Sequence, residues 1–302
     1  MRKILLIKVG ALGDVVRTTP LLRRLRGEVS WVTGTPALPL LAGNPLISRA
    51  LPIERAAAIA REKFDWVINL DEERQACALA AKIKARRKTG ALLAGGGFSY
   101  CAASAPWFDM SLISRFGREA ADKLKYANRR TYQSFLFEAC GFKFTGEEYM
   151  LPPAPPAPAG RLVAIEQRTG ARWPLKRWPG CRELAGLLER RGIPFFFLRS
   201  RPELAGYLRD INRCSVLVSG DTLAMHAALG LGKRAVAVFN CTSPREICGY
   251  GRLRKLVHPG LRALFYSRRR PGPDFPHIPA KTVLKEVLSA LRPPLENGGF
   301  VC

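Results

Sequence analysis

Leu151-Pro-Pro-Ala-Pro-Pro-Ala-Pro-Ala-Gly160 decides how the rest of the chain is read. Its five prolines in ten residues remove backbone donors and fix φ. The segment can join neither a helix nor a sheet ladder and is expected to be a stiff, extended connector. The same pattern runs on both sides of it: a short apolar run, a Gly-containing loop, then an amphipathic helix. Before it the runs are Ile4–Val9, Val29–Val32 and Trp66–Leu70, with a helical period from Glu73 to Arg86. After it they are Leu162–Ile165, Phe195–Leu198, Val216–Val218 and Ala235–Phe239. Continuous apolar runs, rather than alternating ones, suit strands covered on both faces, as in parallel sheets. The spacing predicts an α/β protein of two Rossmann-like, doubly wound domains facing across a cleft, residues 1–150 and 161–302 joined by 151–160. A last helix, about 280–291, is placed to pack back on the N-terminal domain. Ligands in such folds sit beyond the carboxyl ends of the strands, which directs attention to the loops there.

Composition narrows the function. The chain has 302 residues, 47% of them hydrophobic, and a formal charge of +25. That excess is spread along the chain, with +10 in residues 1–150 and +15 in the remainder, so it is not a detachable basic tail. Anionic partners such as phosphates, nucleotides or acidic lipids are favoured. Eight cysteines without a Cys-x-x-Cys pair, and only three histidines, argue against a zinc site and fit free thiols in a reducing compartment. Lys8, Gly10 and Asp14 interrupt the N-terminal apolar run too early for a secretion signal. The uncharged stretch 90–108 holds Gly95-Gly96-Gly97 and Pro106 and makes a poor membrane span. A cytoplasmic protein is expected.

Three loops carry the chemistry. The first is Lys8-Val9-Gly10-Ala11-Leu12-Gly13-Asp14-Val15, a strand running through Gly-x-x-Gly-Asp into a helix. Its spacing fits neither the dinucleotide fingerprint nor the Walker loop. Gly10 and Gly13 permit a tight turn with bare amides. Asp14 at that helix end is either an ordinary cap or an ionised base able to take a proton from a substrate hydroxyl.

The second is Ser219-Gly220-Asp221-Thr222-Leu223-Ala224-Met225-His226, again strand, polar turn and helix. Free amides at that helix start suit a phosphate, or the turn is plain capping. Asp221 has the lone pairs to hold two sugar hydroxyls, and His226 is either a packed core residue or a ligand. The third loop, Thr169-Gly170-Ala171-Arg172-Trp173-Pro174-Leu175-Lys176-Arg177-Trp178-Pro179, interleaves cations with indoles and would clamp a diphosphate. The same mix would grip single-stranded nucleic acid, but such binders spread aromatics over a sheet face, and no nucleic-acid partner is expected. Thr242-Ser243-Pro244 reads as a helix start. No Asp-x-Asp occurs, so the carboxylate pair that many sugar-nucleotide enzymes use to hold a metal is missing.

In this order and spacing, the loops resemble those of glycosyltransferase family 9, the ADP-heptose:lipopolysaccharide heptosyltransferases. The likeness includes Ile4–Leu22, Asp65-Trp-Val-Ile-Asn-Leu-Asp71, Trp173–Pro179, Gly220–His226 and Phe239-Asn-Cys-Thr-Ser-Pro244. The resemblance implies a GT-B fold with the acceptor on the first domain and the nucleotide sugar on the second. It implies an inverting transfer that needs no metal or other cofactor. In it Asp14 is the general base, Lys176 and Arg172 neutralise the diphosphate, Thr222 and nearby amides hold the phosphates, Asp221 binds the donor sugar and His226 supports the loop. The implied partners are ADP-heptose and a lipid-linked saccharide acceptor, with peripheral contact at the inner membrane. Two departures bear on the donor: Leu223 stands where the family has glycine, and only 199–215 separate two strands between which the family inserts a further strand near the nucleoside.

Overall fold

Ile4, Leu5, Leu6 and Ile7 are fully buried, as a strand with neighbours on both edges and cover on both faces must be. They lie in β1 (Lys3–Ile7), which pairs in parallel with β2 (Glu28–Thr33) on one side and β4 (Lys63–Asn69) on the other. β3 (Arg49–Pro52) extends the sheet beyond β2. β5 (Lys84–Ala94) and β6 (Gly97–Tyr100) extend it beyond β4, in the order β3-β2-β1-β4-β5-β6. The structure, a computed structural model, describes residues 1–155, 160–270, 272 and 275–292. The chain divides into two units, Met1–Pro153 and Ala154–Cys302. Residues 156–159 of the proline-rich connector lie outside the described residues.

In the first unit, helix Arg74–Lys82 presents Ala76, Leu79 and Ala80 to Leu5, Ile7, Val32 and Val67 of the sheet. The helical period expected to Arg86 stops four residues early, because Lys84 already pairs with Lys63 as the chain enters β5. Lys84, Arg86 and Arg87 are exposed on that strand, so their charges read as a solvated helix face. The uncharged stretch 90–108 supplies the end of β5 and all of β6, which pair antiparallel. Gly95 and Gly96, both at positive φ, form the two-residue turn between them, the backbone that glycine adopts without steric cost.

The second unit is a fully parallel sheet of β7 (Val163–Ile165), β8 (Phe195–Phe197), β9 (Val216–Gly220), β10 (Arg234–Phe239) and β11 (Leu253–Val257), ordered β11-β10-β9-β7-β8. Helices Cys181–Glu189 and Ala280–Ala290 pack beside each other on its core. Val283, Leu284 and Val287 of the last helix belong to this core, which on the order of 5–9 kcal/mol of burial would stabilise as an upper bound. The face of this helix that carries Val283, Leu284 and Val287 is used within the second unit. Residues 199–215 hold the helix Leu204–Asn212.

Among the described residues no helix is long and apolar enough to cross a membrane. Six cysteines are free thiols, five of them buried. Cys248 is buried as well.

Candidate functional site

Strand order locates the loops that matter. In the first sheet β2 and β3 build outward from one edge of β1 and β4 from the other, so the order reverses between β1 and β4. In the second it reverses between β7 and β9. Crevices open at such reversals, beyond the carboxyl ends of the strands, and ligands of doubly wound sheets bind there. All three loops singled out from sequence leave their sheets at these two points.

At the first reversal, the residues after β1 are fastened to those after β4. Asp71 Oδ2 accepts from the amides of Val9 (2.8 Å) and Gly10 (3.2 Å), and Oδ1 from that of Glu73 (3.0 Å). Lys8 Nζ donates to the Leu70 carbonyl at 3.1 Å and lies 3.5 Å from Asp71 Oδ2. Both side chains are buried. Burial alone would raise the Asp71 carboxyl, but Lys8 and the three amides outweigh it and hold it below its ordinary value. Burial would likewise lower the Lys8 ammonium, but Asp71 first, then Tyr132, Asp14 and Glu72, more than offset it and hold it above its ordinary value.

The pair's contribution to stability is therefore present above the unfolded carboxylate value of about 3.9 and below the unfolded lysine value of about 10.4. It is lost as pH falls through Asp71's depressed value or rises through Lys8's elevated one. Asp71→Ala leaves a buried ammonium without its carboxylate and should cost about 3–5 kcal/mol at neutral pH. The urea midpoint measured against pH checks this: the deficit should shrink below about pH 4, where the wild type loses the same interaction.

Helix Leu12–Thr18 follows this loop. Ala11, not Asp14, is its N-cap, and no side chain caps it. The capping alternative for Asp14 therefore falls. Asp14 stands in the first turn, where the amide dipoles favour an anion, and its side chain is 36% exposed. Arg17 Nη1 donates to Asp14 Oδ1 at 3.1 Å while its guanidinium lies 4.1 Å above the Tyr132 ring. Thr18 Oγ1 donates to the Asp14 carbonyl at 2.8 Å. Gly13, expected in the loop, lies inside the helix. A Cβ on Gly10 would meet nothing within 4 Å, so that loop face is open rather than tightly packed.

At the second reversal the contact is close. A Cβ on Gly220 would lie 2.1 Å from the Lys176 carbonyl oxygen, so only glycine lets the 174–176 turn rest on the end of β9. Buried Asn240, after β10, donates from Nδ2 to the carbonyls of Leu175 and Arg177, both at 3.0 Å, and holds the same turn from the other side. Lys176 Nζ then sits 2.9 Å from Asp221 Oδ2, and His226 Nε2 lies 3.5 Å from Asp221 Oδ1. Thr222 is the N-cap of helix Leu223–Gly230 without a side-chain cap bond, and its hydroxyl is 2.9 Å from that of Ser219. Burial pushes the neighbouring Cys241 thiol up to about 11, so it stays neutral near pH 7. Gly220→Ala should displace the turn at a cost of about 1–3 kcal/mol, which the urea denaturation midpoint of that variant would read.

The structure brings Lys176, Gly220, Asp221, Thr222 and His226 together and leaves Arg172 outside that group. Arg172 is exposed, its guanidinium 6.0 Å from the Trp173 ring. The cations facing the adjoining pocket, about 590 Å³ in volume, are Arg168, Arg177 and Arg270, beside Gln167 and Thr169. Arg168 is partly neutralised by buried Glu166 through bonds of 2.9 Å to each carboxylate oxygen. Arg177 and Arg270 are exposed. A turn carrying a lysine, amides at a helix start and a cation-lined pocket can bind a phosphorylated ligand. Sequence reasoning gave no role to Asp71, Arg17, Asn240 or Arg270, and counted Arg177 only among the cations of the third loop. Asp71, Arg17, Asn240 and Arg177 lay within quoted motifs, but which partner each would meet is a matter of topology. Among the described residues no three His, Cys, Asp or Glu side chains gather as a metal site would need.

Two doubly wound sheets with these paired loops define an α/β protein of the GT-B-like class. The chain matches no protein-family model and no curated protein sequence. Among solved structures, it superposes on a family 9 glycosyltransferase from Veillonella parvula with a TM-score of 0.64 at 20% identity, over 96% of this chain and 97% of that one. It superposes on the Escherichia coli heptosyltransferase WaaC with ADP with a TM-score of 0.64 at 17% identity, over 95% and 99%. The iron-containing dodecameric glycosyltransferase TibC of enterotoxigenic E. coli gives a TM-score of 0.53 at 12% identity, over 96% and 77%. The chain has the fold of these glycosyltransferases over nearly its whole length.

Proposed function

We propose that the protein is an inverting glycosyltransferase that moves heptose from ADP-heptose onto a hydroxyl of a lipopolysaccharide-core or related lipid-linked acceptor. It would act in the cytoplasm at the inner membrane surface, without metal or nucleic acid. The observation that carries the reading is the Lys176–Asp221–His226 group at the β7/β9 reversal, which joins a cation for phosphate to a carboxylate for sugar hydroxyls. The fold shared with WaaC, a heptosyltransferase solved with ADP, supports the donor.

In this mechanism the acceptor hydroxyl gives its proton to Asp14 as its oxygen bonds to the anomeric carbon. The bond from that carbon to the diphosphate breaks on the opposite face, and the electron pair leaves with ADP. Lys176 meets the developing charge with the amides after Thr222, assisted by the pocket cations Arg177 and Arg270. Asp221 orients the sugar, and His226 steadies Asp221. These cations would do the electrostatic work a metal does elsewhere. The iron of TibC makes chelation with EDTA part of any test.

Because a ligand that binds only the folded chain stabilises it by about 2.7 kcal/mol at a hundred times Kd, a thermal-shift screen tests the donor. ADP and ADP-heptose should raise the melting temperature more than UDP or GDP conjugates. A larger shift with another nucleotide would replace the donor, and no shift with any would remove the reading. A second reading, a nucleotide-sugar-binding protein that does not transfer, is favoured by the Arg17–Asp14 contact, since Arg17 already occupies one oxygen of the carboxylate that would take the proton.

A further inference from the structure

We propose that the face of the first unit carrying Phe98, Leu112, Phe116 and Leu124 docks on an anionic lipid bilayer. Among the described residues eight large apolar side chains are exposed, and five of them, Phe98, Leu112, Phe116, Leu124 and Tyr126, fall within 98–126 at 40–54% exposure. Scattered exposed apolar side chains are ordinary, whereas a cluster marks a contact surface. The segment is contiguous. Phe98 and Tyr100 share one face of β6, and the Tyr100 hydroxyl accepts from the Arg115 amide at 3.0 Å. The Arg115 guanidinium lies 4.9 Å from the Phe116 ring, and helix Gly117–Ala127 follows directly, burying only Ala121. A helix in water ordinarily draws its stability from a packed apolar face. This one keeps Leu124 outside and is tied down by Lys125, 4.8 Å from the Trp107 ring.

Charge selects the occupant. Residues 112–130 carry Arg115, Arg118, Lys123, Lys125, Arg129 and Arg130 against Glu119 and Asp122. Arg118 pairs with Asp122 and Lys123 with Glu119 within the helix, and Arg115 pairs with Asp109. The two pairs within the helix are exposed on both sides, and such pairs are worth little and yield readily to a competing phosphate. Apolar side chains set among cations match the boundary between acyl chains and anionic headgroups, where each basic group adds attraction and the apolar ones insert. A soluble acidic protein would satisfy the cations but not the protruding rings. Such docking deepens the acceptor half of the proposed function, by holding the enzyme at the surface where a lipid-linked saccharide is found.

The test needs no sugar substrate, so its failure would leave the transferase reading standing. The full chain is sedimented with phosphatidylcholine vesicles with and without phosphatidylglycerol. Wild type should bind the anionic vesicles, weaken with salt, and bind the neutral ones far less. The variant L112S/F116S/L124S, whose substitutions are all at exposed sites, should lose roughly tenfold in partitioning with an unchanged melting temperature. In a second variant, Phe116→Trp, brominated acyl chains should quench the added fluorescence. Equal binding by the triple variant, or no quenching of Phe116→Trp, would overturn the proposal. So would a wild type that ignores vesicles but loses self-association on triple substitution, which would assign the face to a second copy of the chain.

Discussion

Asp14→Asn is expected to lower kcat by roughly 10²–10⁴ while leaving ADP affinity within a factor of about two of wild type. The substitution keeps volume and polarity and removes the capacity to take a proton. Asp14 is not the cap of its helix, whose N-cap is Ala11, so a large loss of stability is not expected. The variant therefore separates chemistry from folding. The Arg17 contact at 3.1 Å sharpens the expectation. It fixes Asp14 Oδ1 on the Arg17 side. Arg17→Lys should consequently lower kcat more than it changes KM, since lysine keeps the charge but not the planar fork that positions Asp14. Undiminished turnover by Asp14→Asn would remove Asp14 from the reaction.

Lys176→Ala is expected to cost about 10²–10³ in kcat/KM, the magnitude found when a single preorganised group facing developing charge is removed. Two effects coincide in that variant. The leaving diphosphate loses its cation, and Asp221 loses the partner at 2.9 Å that holds Oδ2. Asp221→Asn separates them, because it removes the ion pair while the ammonium stays. If Lys176 acts on the phosphates, Asp221→Asn should bind ADP at least as well as wild type and show its defect with the intact nucleotide sugar. If Lys176 only steadies the turn, the two variants should behave alike. Calorimetric titration with ADP distinguishes these outcomes directly.

The fold class was legible because the decisive residues are apolar and continuous. Ile4–Ile7, Val216–Val218 and Ala235–Phe239 read as doubly covered strands, and each is buried in a parallel sheet. The strands that escaped notice carry charge or sit at an edge. Lys84–Lys88 reads as a helix surface until β4 offers it a ladder, while Leu253-Arg-Lys-Leu-Val257 and Arg49-Ala-Leu-Pro52 occupy outer positions where alternation is weak. Within the candidate site, residue types close to a recognisable turn were visible: Asp14, Lys176, Asp221, Thr222 and His226. The groups that position them were not. Asp71 reaches Val9 and Gly10 across 61 or 62 residues, and Asn240 reaches Leu175 across 65. Such pairings follow from strand order and leave no local period. Arg172 shows the converse. Its spacing suited a phosphate clamp, but its guanidinium is exposed near the Trp173 ring, and Arg177 and Arg270 line the pocket instead.

The most direct measurement is the release of ADP from ADP-heptose by the full chain, with and without a Kdo-bearing lipid acceptor and in the presence of EDTA. The account predicts ADP formation that depends on the acceptor, is matched by sugar incorporation and is unaffected by the chelator. Nucleotide binding without acceptor-dependent release, or turnover abolished by EDTA and restored by a metal ion, would contradict it.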